Sequence, residues 1–313
     1  MSEQLQVDEA NAWRLQTPGT TDWPRTARPD DPDKYLMISA DTHANEPAEL
    51  WRERIEPKYR DRVPHVRKDE KGDLWSVVEG NRPTKIRIMS MVGQDEERNG
   101  SGATIKGRSA DHKRDGIDAE IIFPNKGLAM WATPDPDLAM AQCRVWNDWA
   151  WEFYGANNDT MSPMAALATG DLSGTMAEIK RTARMGFRGL TLPCKPIYGG
   201  HDVNDPNYNL PMYDPMWALI EETGLPITFH ISTGRDPRAS KGNGGAVINY
   251  VSHSLSPTVE PMANLCGSGV LERFPKLQFA LTECGIGWIP WALEAMDEAY
   301  RKHHFWVRPK LQG

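Results

Sequence analysis

The sequence is short of the features that would tie a chain to a membrane, to nucleic acid or to an oxidising compartment. None of its 313 residues fall in a run that approaches the roughly 18 apolar residues of a membrane span. Basic charge is in deficit, with 36 Lys and Arg against 43 Asp and Glu, a formal charge of −7. A nucleic-acid binder needs the opposite, a basic face that displaces counterions. Cysteine is sparse: Cys143, Cys194, Cys266 and Cys284 lie far apart and form no C-x-x-C pair. That spacing excludes a disulfide framework and a zinc knot and leaves buried, reduced thiols as the expectation. Residues 1–34 carry Pro18, Pro24, Pro29 and Pro32 but no apolar stretch of the kind a secretory leader needs. A cytoplasmic protein with no membrane and no nucleic-acid partner is expected.

What is present has the composition of a globular protein, 39% hydrophobic and 25% charged, long enough for one large domain or two small ones. Residues 1–34 read as an extended arm, polar and without periodicity, placed to reach a neighbouring subunit of a homo-oligomer. From Tyr35 a rhythm begins. YLMISAD (35–41), DAEIIFP (118–124), MAALAT (164–169), FRGLTLP (187–193), PITFHIS (226–232) and LQFALTE (277–283) are short and almost continuously apolar. Strands buried on both faces of a parallel sheet have this look. Between them lie amphipathic stretches. Leu138, Ala141, Val145, Trp149 and Phe153 recur at helical spacing, as do Met176, Ile179 and Ala183, and Trp288, Trp291, Ala295 and Ala299. Asp214-Pro215 opens a further helix and Gly224 closes it.

Alternating strands and helices predict βαβ units. A doubly wound sheet would often carry a Gly-rich loop after its first strand, and none is present. Polar residues instead end several strands, which is the habit of a TIM-like (β/α) barrel. The barrel domain is expected over 35–313, with an insertion at about 44–116 in which LWSVVEGNRPTKIRIM reads as a hairpin turning at Gly80-Asn81.

The strand ends carry the candidate chemistry. Asp41 and His43 are two apart, so on a strand they share a face, and a carboxylate oxygen with an imidazole nitrogen suits Zn²⁺ or Mn²⁺. The alternative for this pair is a turn-capping Asp beside an incidental His. His230 ends an apolar strand, where an imidazole must have partners; it is a metal ligand or a hydrogen-bonded core residue. Glu283 ends another such strand and is a candidate general acid/base, a ligand, a partner to a ligand, or a structural ion-pair member. Arg235 and His253 follow the His230 strand and could receive an anionic substrate by charge-assisted hydrogen bonds. ISTGRDPRASKGNGG is no phosphate loop, since it lacks the G-x-x-x-x-G-K spacing. His65, His112, His201, His303 and His304 have no strand-end placement and read as surface or packing residues. Glu46-Pro47 reads as a helix start, with Glu46 close enough in sequence to the Asp41–His43 pair to enter the pocket instead.

ISADTHANEP, GFRGLTLP, PITFHIS and above all GVLERFPKLQFALTECGIGWIPWALEAMD together resemble the amidohydrolase-related family, whose members include metal-dependent decarboxylases similar to aminocarboxymuconate-semialdehyde decarboxylase. The resemblance runs from about residue 35 to the C-terminus and is closest to the D-x-H-x-x-E-P branch. It implies a TIM-like barrel with one divalent metal ion at its mouth, Asp41 and His43 as the first-strand ligands and His230 as the fifth-strand ligand. It also implies a small-molecule substrate and either hydrolase or non-oxidative decarboxylase (lyase) activity on a carboxylated, possibly aromatic, compound. Glu283 stands where the decarboxylases usually place a substrate-contacting His, and takes the proton-transfer role only as a hypothesis. The family's last strand ends in an S-D-x-P-H-like motif whose Asp ligates the metal, and HHFWVRPKLQG has no counterpart. Only six strands are legible, so the barrel is expected to lack its last two, as a fragment, a shortened variant or a piece completed by another chain, and to hold its metal weakly. The competing expectations are a non-catalytic barrel serving as a scaffold or oligomer component, and a metal-free sugar- or phosphate-processing barrel.

Overall fold

Apolar, β-branched and aromatic runs such as AEIIF and ITFH cannot be satisfied at a surface, and the backbone polar groups they bury must find ladder partners. They do so in parallel sheets. The structure, a computed structural model, describes residues 37–80, 83–86, 100–197, 206–233 and 240–307. The arm expected over 1–34, Asn81 of the expected hairpin turn, and Arg235 lie outside the described residues.

By contact density the chain divides into two units. The first comprises Met1–Pro47, Ile88–Asn125 and Ala150–Pro163; the second comprises Ala48–Arg87, Lys126–Trp149 and Met164–Gly313.

In the first unit a three-stranded parallel sheet has the order β1 (Ile38–His43), β5 (Ala119–Phe123), β6 (Met161–Pro163). β1 pairs with β5 from Ile38↔Ala119 and Ser39↔Glu120 to Thr42↔Ile122 and His43↔Phe123, with one extra residue of β1 between Ser39 and Thr42. This is a β-bulge, a device that bends a strand and re-aims a side chain, and it falls at Ala40-Asp41, beside the D-x-H pair. Helix α1 (Ile105–Asp115) lies in this unit. Thr104 caps it, accepting from the Gly107 N–H at 3.0 Å.

In the second unit a four-stranded parallel sheet has the order β10 (Phe279–Thr282), β9 (Ile227–His230), β8 (Leu190–Leu192), β7 (Ala165–Ala166). β9 is thus an inner strand, and all four of its residues are buried. After helix α2 (Pro136–Tyr154) come α3 (Leu172–Met185), α4 (Asp214–Thr223), α5 (Ser256–Gly267) and α6 (Ile289–Val307), and these last four belong to it. α4 begins with Pro215 in its first turn and ends at Gly224, whose φ of 69° is the left-handed cap only glycine adopts without strain. The core around β9 is aromatic: the Phe229 ring lies 5.6 Å from Tyr208 and 6.4 Å from Phe279, and Tyr208 meets Trp217 edge-on at 5.5 Å. Asn147 holds β7 directly, accepting from the Ala166 N–H at 2.7 Å and donating to the Ala166 carbonyl at 2.9 Å.

This unit also carries a three-stranded antiparallel sheet, β2 (His65–Lys68), β3 (Leu74–Val77) and β4 (Thr84–Lys85). The Trp75↔Lys85 and Ser76↔Thr84 pairs centre the β3–β4 hairpin on residue 80, as its Gly-Asn signal predicts. The preceding β2–β3 hairpin has no such dipeptide; Asp69 closes it, accepting from the Lys71 and Asp73 N–H groups at 2.9 Å each and from Trp75 Nε1 at 2.8 Å.

Candidate metal centre

In the first unit, β1 delivers Asp41 and His43 with about a third of each side chain exposed. The His43 ring is fixed by its Nδ1, 2.9 Å from the Pro124 carbonyl. A carbonyl oxygen only accepts, so Nδ1 carries the proton and the neutral ring has its lone pair on Nε2. That Nε2 faces Asp41 Oδ1 at 3.7 Å, beyond hydrogen-bonding reach. The strand is anchored from behind by charge. Arg108 of α1 donates Nη1 to the His43 carbonyl (3.0 Å), and Nε and Nη2 to the two oxygens of Glu120 (2.7 and 2.9 Å). His112 Nε2 approaches the same carboxylate at 3.1 Å. Burial alone would raise the Glu120 pKa; the hydrogen bonds from His112 and Arg108 outweigh it and hold the carboxyl at about 2. Glu46 is 1% exposed, and its Oε1 accepts from the Asn125 N–H at 2.7 Å, so this carboxylate braces the loop after β5.

In the second unit, His230 is fully buried at the C-terminal end of β9, an inner strand. Its Nδ1 lies 2.8 Å from the Ile231 carbonyl, which sets the same tautomer as in His43. Its Nε2 stands 3.7 Å from Glu283 Oε2. Thr233 locks the strand end, donating to the His230 carbonyl at 2.7 Å and accepting from the Cys194 N–H at 3.2 Å. The Cys194 thiol is pushed up to about 12 by burial, so it is a packing group and not a nucleophile. Ser232 (φ 74°) and Glu283 (φ 59°) are the two non-glycine residues with left-handed backbone among those described. They follow β9 and β10, neighbouring hydrogen-bonded strands. Non-glycine residues held in that region collect at functional sites.

Two imidazoles, each with Nδ1 on a main-chain carbonyl and Nε2 at 3.7 Å from a carboxylate oxygen, form a repeated arrangement. Nε2 and O atoms sharing one tetrahedral Zn²⁺ would stand about 3.4 Å apart, from bond lengths near 2.1 Å. A direct hydrogen bond would require about 3 Å. Both pairs are nearer the first spacing, and their nitrogen–oxygen chemistry fits a borderline divalent cation.

Other expected residues fall as follows. His253 is buried to 8% exposure within a π-helical stretch, Asn249–Leu255, a rare geometry frequent at functional sites. Arg235 lies outside the described residues. A groove of about 620 Å³ lies between α5 and α6, lined by Leu255, Met262, Trp288, Trp291 and Met296, with Lys195 on its wall 3.3 Å from Glu260. Sequence reasoning missed Lys195 and the Arg108–Glu120–His112 cluster. His112 had read as surface or packing, and only the helix that carries it reveals its partner.

The amidohydrolase family model matches residues 40–311 of this chain. Among solved structures, an amidohydrolase from Mycobacterium avium subsp. paratuberculosis K-10 is 18% identical, with a TM-score of 0.69 over 86% of this chain and 77% of that one. A 5-carboxyvanillate decarboxylase from Sphingomonas paucimobilis is 19% identical, with a TM-score of 0.56 over 89% and 76%. A dihydroxybenzoic acid decarboxylase from Polaromonas sp. JS666, solved with bound manganese and the inhibitor 2-nitroresorcinol, is 18% identical, with a TM-score of 0.52 over 88% and 71%. At these identities the likeness is one of fold. No curated protein sequence matches. With the match spanning nearly all of the described residues, the chain belongs to the amidohydrolase family.

Proposed function

We propose that this protein is a metal-dependent hydrolase or non-oxidative decarboxylase of a small carboxylated molecule, and that Asp41, His43 and His230 hold one divalent cation, Zn²⁺ or Mn²⁺. The fold reading that goes with it is a TIM-like (β/α) barrel with six of its strands in this chain. One observation carries the proposal: the shared tautomer of His43 and His230, each with its lone-pair nitrogen turned toward a carboxylate oxygen at 3.7 Å. Membership of the family and the manganese named in the Polaromonas structure support it. When bound, the cation would supply a Lewis acid at this point.

The chain's own residues do the rest. Pro124 and Ile231 carbonyls hold the two rings so that Nε2, not Nδ1, is offered. Thr233 and Cys194 keep the end of β9 from moving. Glu283, half exposed, meets an incoming molecule at the strand ends, and His253 with Arg235 would hold the substrate's carboxylate.

The test is elemental analysis after loading with Zn²⁺ or Mn²⁺ and gel filtration. About one ion per chain is expected for the wild type and none for His230→Ala. Full occupancy in that variant overturns the ligand assignment. A wild type that retains no ion supports the scaffold reading instead.

A further inference from the structure

We infer that the exposed face of α6, with the groove between α5 and α6, is the surface on which two copies of this chain pair, their α6 helices running antiparallel. The surface lies wholly in the second unit and does not depend on the metal reading. Nine of the thirteen large apolar side chains that stand exposed among the described residues fall in two short segments, 247–251 and 286–300. The two segments meet at the groove, which Val251 and Trp291 both line. Along α6, Ile289, Ala292, Leu293, Met296 and Tyr300 recur at helical spacing, a stripe suited to packing. Yet among the described side chains of this helix only Ala292 is buried, while Trp291 is 67% and Leu293 60% exposed. Single exposed apolar residues are ordinary, but a concentration of this kind marks an interaction surface. At about 200 Å² for a whole large side chain, the nine offer on the order of 1,000 Å², against the ~800 Å² that each partner of a stable pair buries.

The charges of α6 identify what covers it. Glu294, Asp297 and Glu298 all precede Arg301 and Lys302, so the helix is acidic toward its start and basic toward its end. Asp297 lies 3.7 Å from Arg301, Glu298 pairs with Lys302, and all four of these side chains are more than half exposed. Two copies laid antiparallel set the acidic half of each helix beside the basic half of the other, whereas parallel copies would set like charge on like. The same patch then serves both copies across a two-fold axis. An unrelated partner carrying one sign of charge would match one half of the helix and be repelled by the other. The groove of about 620 Å³ beside the helix leaves room for side chains of the second copy.

The experiment is sedimentation velocity on the full chain at micromolar concentration, with circular dichroism to follow the folding of each variant. The wild type is expected to run as a dimer. Leu293→Glu puts a charge into the apolar stripe and should weaken the dimer about 100-fold. Arg301→Glu with Lys302→Glu makes all five of these charges acidic, and Glu294→Lys with Glu298→Lys leaves Asp297 as the one acid among them. Each double variant alone should be a monomer, and an equimolar mixture of the two should recover the dimer. Recovery on mixing also shows that neither variant has lost its fold, and it decides the matter should Leu293→Glu fail to fold. A monomeric wild type overturns the inference, whatever other protein it binds. So does a dimer that folded Leu293→Glu or the double variants leave within about threefold of the wild type in affinity, because the contact then lies elsewhere. Double variants that stay monomeric when mixed overturn it as well.

Discussion

β1 and β9 each end in a histidine with the same tautomer, yet the two strands are held by different forces. β9 is an inner strand of its sheet, wholly buried, with Phe229 packed against Tyr208 and Phe279. β1, among the described residues, pairs on one side only, is bulged beside Asp41, and leaves Ile38 51% exposed. What fixes it is the charge cluster of Arg108, Glu120 and His112, reaching the His43 carbonyl itself. Hydrophobic burial is indifferent to pH, and a paired carboxylate is not. Two strand ends built on such different supports should fail under different conditions.

The largest effect that would sharpen this contrast is expected from the apolar support. Phe229→Ala removes a ring with no exposed surface and should cost about 4 kcal/mol, the usual range for a buried aromatic. Urea denaturation would measure it at pH 7 and again at pH 4. The loss should be the same at both, and a loss that shrinks markedly in acid would show that β9 too depends on titrating groups.

The charge cluster should behave in the opposite way. The Glu120 pKa is about 2 in the folded chain against an ordinary value of 4.5, a depressed carboxylate. Its stabilisation is therefore fully present above pH 4.5 and drains away as the pH falls toward 2. The amount is on the order of 3 kcal/mol, at ~1.4 kcal/mol for each unit of separation. Glu120→Gln should be less stable than the wild type at pH 7 and should lose less on acidification. Parallel stability-versus-pH curves for the two proteins would remove Glu120 as the source of β1's acid sensitivity.

The sequence made these two supports unequally legible. All six apolar runs became strands; β8 and β9 are buried on both faces as expected, whereas β1 and β10 keep exposed residues. The helix over 138–153 and the Gly80 hairpin followed from spacing and turn chemistry. MAALAT became the two-residue strand β7, and the short strand β6 just before it, Met161–Pro163, lay outside the six runs. Helix α1, IKGRSADHKRD, has no apolar stripe at all; its one buried residue is Arg108. Periodicity cannot find a helix whose inward face is a guanidinium, and so the cluster behind β1 was invisible. α5 was hidden by Pro257 and Pro261, the first in its opening turn, where proline is tolerated, and the second inside the helix, where it breaks the usual pattern. The histidine and carboxylate candidates were readable from their strand-end positions. Their tautomers and the left-handed turn at Glu283 were not, because both depend on which carbonyl each ring meets.

The smallest effect tests the contrast most directly, since it makes one substitution on both strands. Thr42 Oγ1 donates to the Ile121 carbonyl at 3.0 Å, and Thr228 Oγ1 donates to the Leu190 carbonyl at 3.0 Å. Valine has the same shape and removes either bond. On β9 the strand partners of Thr228 are Ala280 and Thr191, neither of them charged, and the added methyl recovers part of what the lost bond contributed; Thr228→Val should cost less than about 0.5 kcal/mol. On β1 the hydroxyl also meets Arg108 Nη2 at 3.4 Å and helps hold the Glu120 charge, so a methyl there faces charged neighbours. Thr42→Val should cost about 1 kcal/mol and loosen the strand between Asp41 and His43, so Zn²⁺ affinity should also fall, by less than about tenfold. Equal costs in the two variants would mean that both strands answer to the same force, and the division between an ionic and an apolar support would not hold.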